Sequence, residues 1–125
     1  MGPVFKIAIK APNGHYLRHN ANDSLSFENC DIMDPEVQFF VPIGTNVFLQ
    51  SYKRHLISLN SSNSLSLIQS NMSISENELF SAVFLGANRV AVKANNGLFV
   101  HSTSLSASSN SVGNTETFEI IHLYI

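Results

Sequence analysis

The sequence is poor in charged residues, cysteine and tryptophan, and each shortage excludes a class of protein. Only 13% of the 125 residues are charged and the net charge is −2, whereas a nucleic-acid-binding surface normally carries a basic face, so nucleic acid is not an expected partner. The single cysteine, Cys30, rules out an intrachain disulfide, and the carboxyl groups of Glu28 and Asp31 beside it disfavour a reactive thiolate. Without tryptophan, any apolar stacking on a ligand must come from Tyr or Phe.

Long hydrophobic runs are also missing. No stretch approaches the about 20 residues of a membrane span, and residues 1–6 lack the basic segment and apolar run of a signal peptide. We therefore expect no membrane insertion and a cytoplasmic or nucleocytoplasmic location. Because 44% of the residues are hydrophobic, the chain can bury a core, and its length suits a single domain over residues 1–125.

One pattern occurs three times along the chain. Residues 7–17, 47–57 and 90–100 align without a gap, at offsets of 40 and 43 residues, and each reads as alternating apolar positions, a polar turn and a second apolar group. Alternation with a period of two indicates a half-buried strand. Two further landmarks recur in each copy, first Leu25, Leu65 and Leu105 and then Phe39, Phe80 and Phe118.

These landmarks divide the chain into repeats of approximately residues 4–43, 44–86 and 87–125, each with four short strands. Twelve such strands predict an all-β fold, a β-trefoil with pseudo-threefold symmetry, in which six strands close a barrel and six cap it as hairpins. A β-sandwich also uses short strands but would not produce three copies with matched landmarks. Helix is limited to single turns at 35–37 and 75–80. The predicted core consists of the apolar repeat positions Ile7, Ile9, Leu17, Leu25, Phe27, Phe39, Val47, Leu49, Ile57, Leu65, Leu67, Phe80, Val90, Val92, Val100, Leu105 and Phe118.

The first hairpin turn of each repeat differs in sequence. Residues 13–14 and 96–97 are both Asn-Gly, a strong hairpin signal because both residue types tolerate positive φ. The middle copy has Lys53-Arg54 there instead. We therefore expect the middle turn to be looser or of another type.

No catalytic or metal-binding signature stands out. The five histidines form no H-E-x-x-H pattern, and His15 and His19 lie in a strand-turn-strand context without a shared helix face. His15 and His55 occupy equivalent repeat positions, so symmetry should keep them apart. The Asp31-to-Asp34 group is explained by a turn before proline, and the glycines are too scattered for a phosphate loop. We expect no enzymatic activity, no metal and no cofactor.

Several segments together resemble one lectin family. Residues 15–18 (HYLR), 25–27 (LSF) and 31–41 (DIMDPEVQFFV) resemble the hairpin arm, the strand and the I-x-D-P-x-x-x-F-x-V segment of the amaranthin-type agglutinin domain, and residues 117–121 (TFEII) resemble its closing strand. The resemblance implies a non-catalytic β-trefoil lectin for galactose- or N-acetylgalactosamine-type glycans and glycoproteins. In that family the sugar lies between subunits, so a single-domain chain with such a site would act as a homodimer.

The same resemblance places the ligand contacts in the hairpin of the second repeat. This chain has Asn60, Ser62, Asn63 and Ser64 there, whose amides and hydroxyls donate and accept hydrogen bonds as sugar hydroxyls require. Tyr52, just before the middle turn, is the candidate for the apolar face of the sugar. These five residues form the predicted carbohydrate-binding site.

A rival resemblance points to a different functional class. Residues 90–100 (VAVKANNGLFV) resemble the trefoil repeats of fascin and hisactophilin, which bind actin. Hisactophilin-like proteins are very rich in histidine and this chain has five, and a net charge of −2 suits acidic actin poorly. Actin binding, or binding to another protein, is therefore the alternative to a lectin.

Overall fold

The computed structural model describes residues 4–42, 46–69 and 74–123, which form short strands and three 3₁₀ turns. The strands are β1 (Val4–Lys10), β2 (Tyr16–His19), β3 (Leu25–Glu28), β4 (Phe39–Pro42), β5 (Asn46–Val47), β6 (His55–Leu59), β7 (Leu65–Gln69), β8 (Phe80–Gly86), β9 (Arg89–Lys93), β10 (Phe99–His101), β11 (Ser106–Ser109) and β12 (Phe118–Leu123). The 3₁₀ turns are Pro35–Val37, Glu76–Glu78 and Asn114–Glu116. Within these ranges, no helix has the length and apolar character needed to cross a membrane.

Six strands form a closed ring. β1 pairs with β4 and β12, β9 pairs with β12 and β8, and β8 pairs with β5, all antiparallel. The ring closes where Phe40 in β4 and Gln50, after β5, exchange two backbone hydrogen bonds of 2.8 and 3.0 Å. The pairs β2–β3, β6–β7 and β10–β11 form one hairpin in each repeat. A six-stranded barrel with three hairpins is a β-trefoil, so the predicted fold is confirmed.

The core surrounds the three phenylalanines that close the repeats. Phe39, Phe80 and Phe118 are 0, 1 and 2% exposed. Every predicted core residue is either buried in this cluster or half-buried against it. An apolar cavity of about 20 Å³ lies at the centre, and its lining offers no polar partner to hold a water molecule.

The prediction omitted several residues that are also buried. Leu56 is 1% exposed although it points away from the barrel centre. It lies on the same side of β6 as Ser58, which is bonded to Glu78 in the second 3₁₀ turn. The 3₁₀ turn therefore covers the outer side of this hairpin and buries residues that a simple in-and-out alternation would expose.

The three 3₁₀ turns occupy equivalent places, each ending two residues before a closing phenylalanine. The turns predicted at 35–37 and 75–80 are confirmed, whereas Asn114–Glu116 was not predicted. The last residues of the turns are Val37, Glu78 and Glu116, and all three are buried. Repeats two and three therefore bury a carboxyl group where the first repeat buries an apolar side chain.

Both buried carboxylates are satisfied by hydrogen bonds. Burial alone would raise the pKa of Glu78, but hydrogen bonds from Ser58 and Ser75 outweigh it and lower the pKa below its ordinary value. The pKa of Glu116 is also lowered, chiefly by the hydrogen bond from Thr115 Oγ1 and then by the Gly113 N–H, against the opposing effect of burial. Each carboxylate, in its ionised form, therefore stabilises its 3₁₀ turn through these hydrogen bonds.

The first hairpin turn is the same in all three repeats, which corrects the expectation for the middle copy. In the middle turn Ser51 N–H donates to His55 O at 2.9 Å and Arg54 N–H donates to Ser51 O at 2.8 Å, as their equivalents do in the other repeats. Arg54 has φ 64°, whereas the equivalent Gly14 and Gly97 have φ 87° and 82°. The backbone hydrogen bonds therefore impose the glycine conformation on an arginine.

The closing phenylalanines set the stability of the domain. We expect Phe80→Ala to lower the free energy of unfolding by about 3–5 kcal/mol, because it removes a buried ring from a packed core. Urea denaturation followed by circular dichroism measures this. Phe84→Ala is the matched control, since that ring is 83% exposed and its removal should change stability by less than about 0.5 kcal/mol. Equal effects of the two variants would contradict the assigned core.

The left-handed arginine provides a test of turn strain. We expect Arg54→Gly to raise the free energy of unfolding by about 0.5–1 kcal/mol, because relief of the left-handed conformation exceeds the added entropy of the unfolded chain. Gly14→Ala is the converse change at the equivalent position and should cost about 1 kcal/mol, since φ would be strained although the added Cβ has room. Thermal melts of both variants check this, and a loss of stability in Arg54→Gly would refute turn strain.

The buried carboxylates make stability dependent on pH. A pKa lowered by folding stabilises the protein above the ordinary value of 4.5, and this contribution is lost as the pH falls through the folded-state pKa. We expect Glu78→Gln to cost about 1–3 kcal/mol at pH 7 and progressively less below about pH 4. Urea midpoints across this pH range measure the effect. Glu119 is exposed, so Glu119→Gln is the control and should lower the free energy of unfolding by less than about 0.5 kcal/mol at pH 7. If the loss of stability in Glu78→Gln persists at low pH, the ionised carboxylate is not the stabilising group.

Candidate functional site

A candidate site lies where the first and third repeats meet, and we call it the open cleft. It has a volume of about 700 Å³. Its apolar lining residues are Ala11, Pro12, Leu25, Phe27 and Leu105. Its polar lining residues are Asn13, Ser26, Ser102, Thr103, Ser104, Asn114 and Thr115. A second hollow of about 360 Å³ adjoins it and shares Ala11, Pro12, Asn13 and Asn114.

The open cleft exists because one loop is short. In the first repeat, Leu17 of β2 and Phe27 of β3 face each other across the hairpin and both contribute to the core. Nine residues (18–26) lie between them. In the third repeat the equivalent partners are Val100 and Ala107, with only six residues (101–106) between them. Leu105 takes φ 49° to close this shorter loop. The three missing residues leave room beside the turn at Pro12.

Hydroxyl and amide groups surround an apolar floor in the open cleft. The floor includes Phe27, whose ring stacks on Phe118 with centroids 5.8 Å apart. On the rim, Ser104 Oγ lies 2.6 Å from Ser106 Oγ, and Ser26 Oγ donates to Glu28 at 2.7 Å. No carboxylate belongs to the lining residues of the open cleft. The open cleft therefore combines hydrogen-bonding groups with an apolar floor.

The structure brings four of the five predicted site residues together. Asn60 Oδ1 accepts from the backbone N–H groups of Ser62 and Ser64 at 2.9 and 3.1 Å, so this amide holds the loop. Asn63 has φ 61°, and its carbonyl accepts from Ala107 N–H at 2.8 Å. The predicted loop therefore packs against the third repeat, next to the short loop that opens the cleft.

Tyr52 lies elsewhere. It belongs to the turn that precedes β6, whereas Asn60 follows the end of β6. A strand rises by about 3.3 Å per residue, so the five residues of β6 separate Tyr52 from this loop by about 16 Å along the strand. Tyr52 instead packs edge-on against His19, with ring centroids 5.3 Å apart. One sugar ring cannot contact both Tyr52 and the loop.

The corresponding surface between the first and second repeats is filled by polar groups. His19 Nδ1 lies 2.7 Å from Ser51 Oγ, and His19 Nε2 lies 2.7 Å from Asp23 Oδ1. The hydrogen bond with His19 lowers the pKa of Asp23, and Lys53, 3.7 Å from the same oxygen, also lowers it. His55 contributes a ring 5.0 Å from that of His19. We call His19, Asp23 and His55 the histidine cluster.

This arrangement has the residue types of a hydrolytic triad but not its accessibility. A nucleophilic serine must reach a substrate carbonyl. Ser51 is 1% exposed, and its Oγ also accepts from His55 N–H at 3.3 Å. The serine is therefore a buried structural group. Sequence reasoning missed the cluster because its members lie 4 to 36 residues apart in different repeats, with no shared motif.

Cys30 matches its predicted character. Burial raises the pKa of its thiol, the positive charge of Arg18 opposes this, and Asp34 and Glu28 add to the rise. The thiol donates to Glu28 O at 3.6 Å. A thiol held in this way is a poor nucleophile.

Fold and surface together define a trefoil with a cleft suited to binding, and comparisons with known proteins agree with the fold. A search of protein families and a search of curated proteins both find no match. Among solved structures, the chain is similar to the crystal structure of ThreeFoil, a designed three-fold symmetric protein, with a TM-score of 0.74 and 17% identity. The match covers 94% of this chain and 99% of ThreeFoil. At this identity the similarity supports the fold alone.

Proposed function

We propose that this protein is a non-catalytic lectin that binds galactose- or N-acetylgalactosamine-type glycans in the open cleft. The observation that carries the proposal is the cleft itself, where the short third-repeat loop exposes an apolar floor inside a rim of amides and hydroxyls. Sugars present hydroxyls around apolar C–H faces, and such a rim and floor complement both features. The sugar type comes from the sequence resemblance described above.

The predicted loop extends this proposed site. Leu105, in the floor of the open cleft, accepts from Leu65 N–H at 2.8 Å, directly after Ser64. A branched glycan seated in the cleft would have Ser62 and Asn63 within its reach along this edge. Tyr52 is not part of the proposed site because it lies at the other end of β6.

Low affinity for each site is part of the proposal. The open cleft is shallow and its polar groups are already partly paired within the protein, so a bound sugar would bury few unpaired contacts. Useful binding would then require several sites to engage together, through a homodimer or a clustered glycan.

The glycan proposal is tested by ligand titration after a glycan array. We expect a multivalent form of the protein to bind galactose-type glycans on the array, and Asn114→Ala to weaken the best of them by about 5–150-fold, the equivalent of about 1–3 kcal/mol. Asn63→Gly tests the predicted loop, because glycine keeps the positive φ and removes only the amide. Alanine would confound the test by straining the backbone.

Asn77→Ala is the matched control for this titration. It removes an amide from the surface between the second and third repeats, where Asn77 bonds to Asn95, and it should leave glycan affinity unchanged. An array without hits would overturn the lectin proposal. Binding that survives both Asn114→Ala and Asn63→Gly would place the site elsewhere.

A protein-binding function is the second candidate, and the β8–β9 hairpin favours it. Val83, Phe84 and Leu85 near its tip are 39, 83 and 37% exposed, and contiguous exposed apolar side chains commonly mark interaction surfaces. The segment that resembles the actin-binding trefoils, residues 90–100, begins in β9. Actin co-sedimentation tests this candidate. If the wild type sediments with actin and the Phe84→Ser variant does not, the result supports protein binding over the lectin proposal.

A further inference from the structure

We propose that the histidine cluster is a binding site for a divalent transition-metal ion of the zinc class. His19, Asp23 and His55 each offer one ligand atom, and these atoms all lie within 4.8 Å of one another. Two imidazoles and a carboxylate are ligands that suit Zn²⁺, and three protein ligands leave a fourth position for water or another donor. The inference is independent of the proposed glycan binding, which uses a different surface.

The buried histidine is already oriented for this role. His19 is fully buried, and its Nδ1 lies 2.7 Å from the hydroxyl of Ser51, itself 1% exposed. At 2.7 Å from Asp23 Oδ1, Nε2–H donates to the carboxylate, and a metal ion would replace this proton. With Nδ1–H donating to Ser51 Oγ, the freed Nε2 lone pair would then face the side where Asp23 lies. Metal-binding histidines are commonly held by such a partner on the second ring nitrogen, because it fixes the tautomer and the ring orientation.

The second histidine has a group that a metal ion would satisfy. His55 Nδ1 is buried and has no hydrogen-bond partner among the residues that the structure describes. An unpaired buried ring nitrogen is unfavourable, so a ligand that accepts its lone pair is favoured there. His55 itself is only half-buried, so its ring has room to turn.

Asp23 gives the site its charge and its entrance. Its side chain is 51% exposed, so an ion can reach the cluster from solvent and keep a water ligand. Lys53 Nζ, 3.7 Å from Asp23 Oδ1, is the group that a cation must displace. The lysine side chain is 40% exposed on a flexible stem, so it can swing into solvent and leave the carboxylate to the metal.

Closing around an ion requires a modest adjustment. Zn–N and Zn–O bonds of about 2.0–2.1 Å place tetrahedral ligands about 3.3 Å apart, so the widest pair must approach by at most about 1.5 Å. Rotation of the half-buried His55 ring would supply this approach, while the exposed Asp23 carboxylate would move away from its 2.7 Å contact with His19, which stays fixed. The bound ion would then join the first repeat, through His19 and Asp23, to the second repeat, through His55.

The proposal is tested with the tag-free full chain and Zn²⁺ as the probe. We expect isothermal titration with ZnCl₂ to show one site per chain, and Zn²⁺ to raise the melting temperature until EDTA is added. His55→Ala and Asp23→Asn should each weaken Zn²⁺ binding at least about tenfold, since even second-sphere changes cost about 10–100-fold. Asparagine is chosen at position 23 because it tolerates the observed φ of 64°.

The matched control is His15→Ala. His15 is the repeat equivalent of His55 but belongs to a different turn, where it contacts Asn13, so its loss should not change the Zn²⁺ affinity. Substituting Co²⁺ gives a second readout, with visible ligand-field absorption in the wild type that Asp23→Asn removes. Absence of binding by the wild type, or equal affinity in all four proteins, would overturn the proposal. If circular dichroism shows that His55→Ala does not fold, the Zn²⁺ affinity of Asp23→Asn decides the test, because that substitution alters an exposed side chain.

Discussion

The burial of three phenylalanines in one core is the constraint on which the other features depend. Phe39, Phe80 and Phe118 are almost fully buried, and each enters the core two residues after a 3₁₀ turn. The ring of six strands encloses a well-packed core only when each repeat places its phenylalanine inside it, because a protein core contains few voids. The two backbone hydrogen bonds between Phe40 and Gln50 close the ring of strands beside the buried side chain of Phe39.

This shared interior leaves the three repeats free to differ at the surface. The first hairpin turn of each repeat meets the preceding repeat, and each of these three places has its own chemistry. Between repeats three and one a short loop opens a cleft, between one and two His19 and Asp23 fill the space, and between two and three Asn95 bonds to Asn77. Function in such a fold is carried by loops that a rigid barrel positions.

The buried polar groups show how the repeats compensate for departures from symmetry. Glu78 and Glu116 stand where the first repeat has Val37, and each is accommodated because nearby hydroxyl and backbone donors pair with it. In the first repeat, where this position is the apolar Val37, Arg18 lies at the position of Ser58, with its guanidinium 4.0 Å from Glu36. Each of these two carboxylates is kept together with its donors, so the substitutions come in sets.

The sequence by itself determined the fold, the three repeats and the core positions, because periodic apolar residues and matched landmarks are local patterns that burial must obey. It also placed the Asn60-to-Ser64 loop on one hairpin. Only the tertiary structure decided that Tyr52 lies at the far end of β6, that Arg54 adopts the conformation of glycine, and that His19 meets His55. The contact between His19 and His55 depends on the rotation of one repeat against the next, which the spacing of residues within a repeat does not encode. The conformation of Arg54 depends on the backbone hydrogen bonds of its turn, and the position of Tyr52 depends on the length of β6.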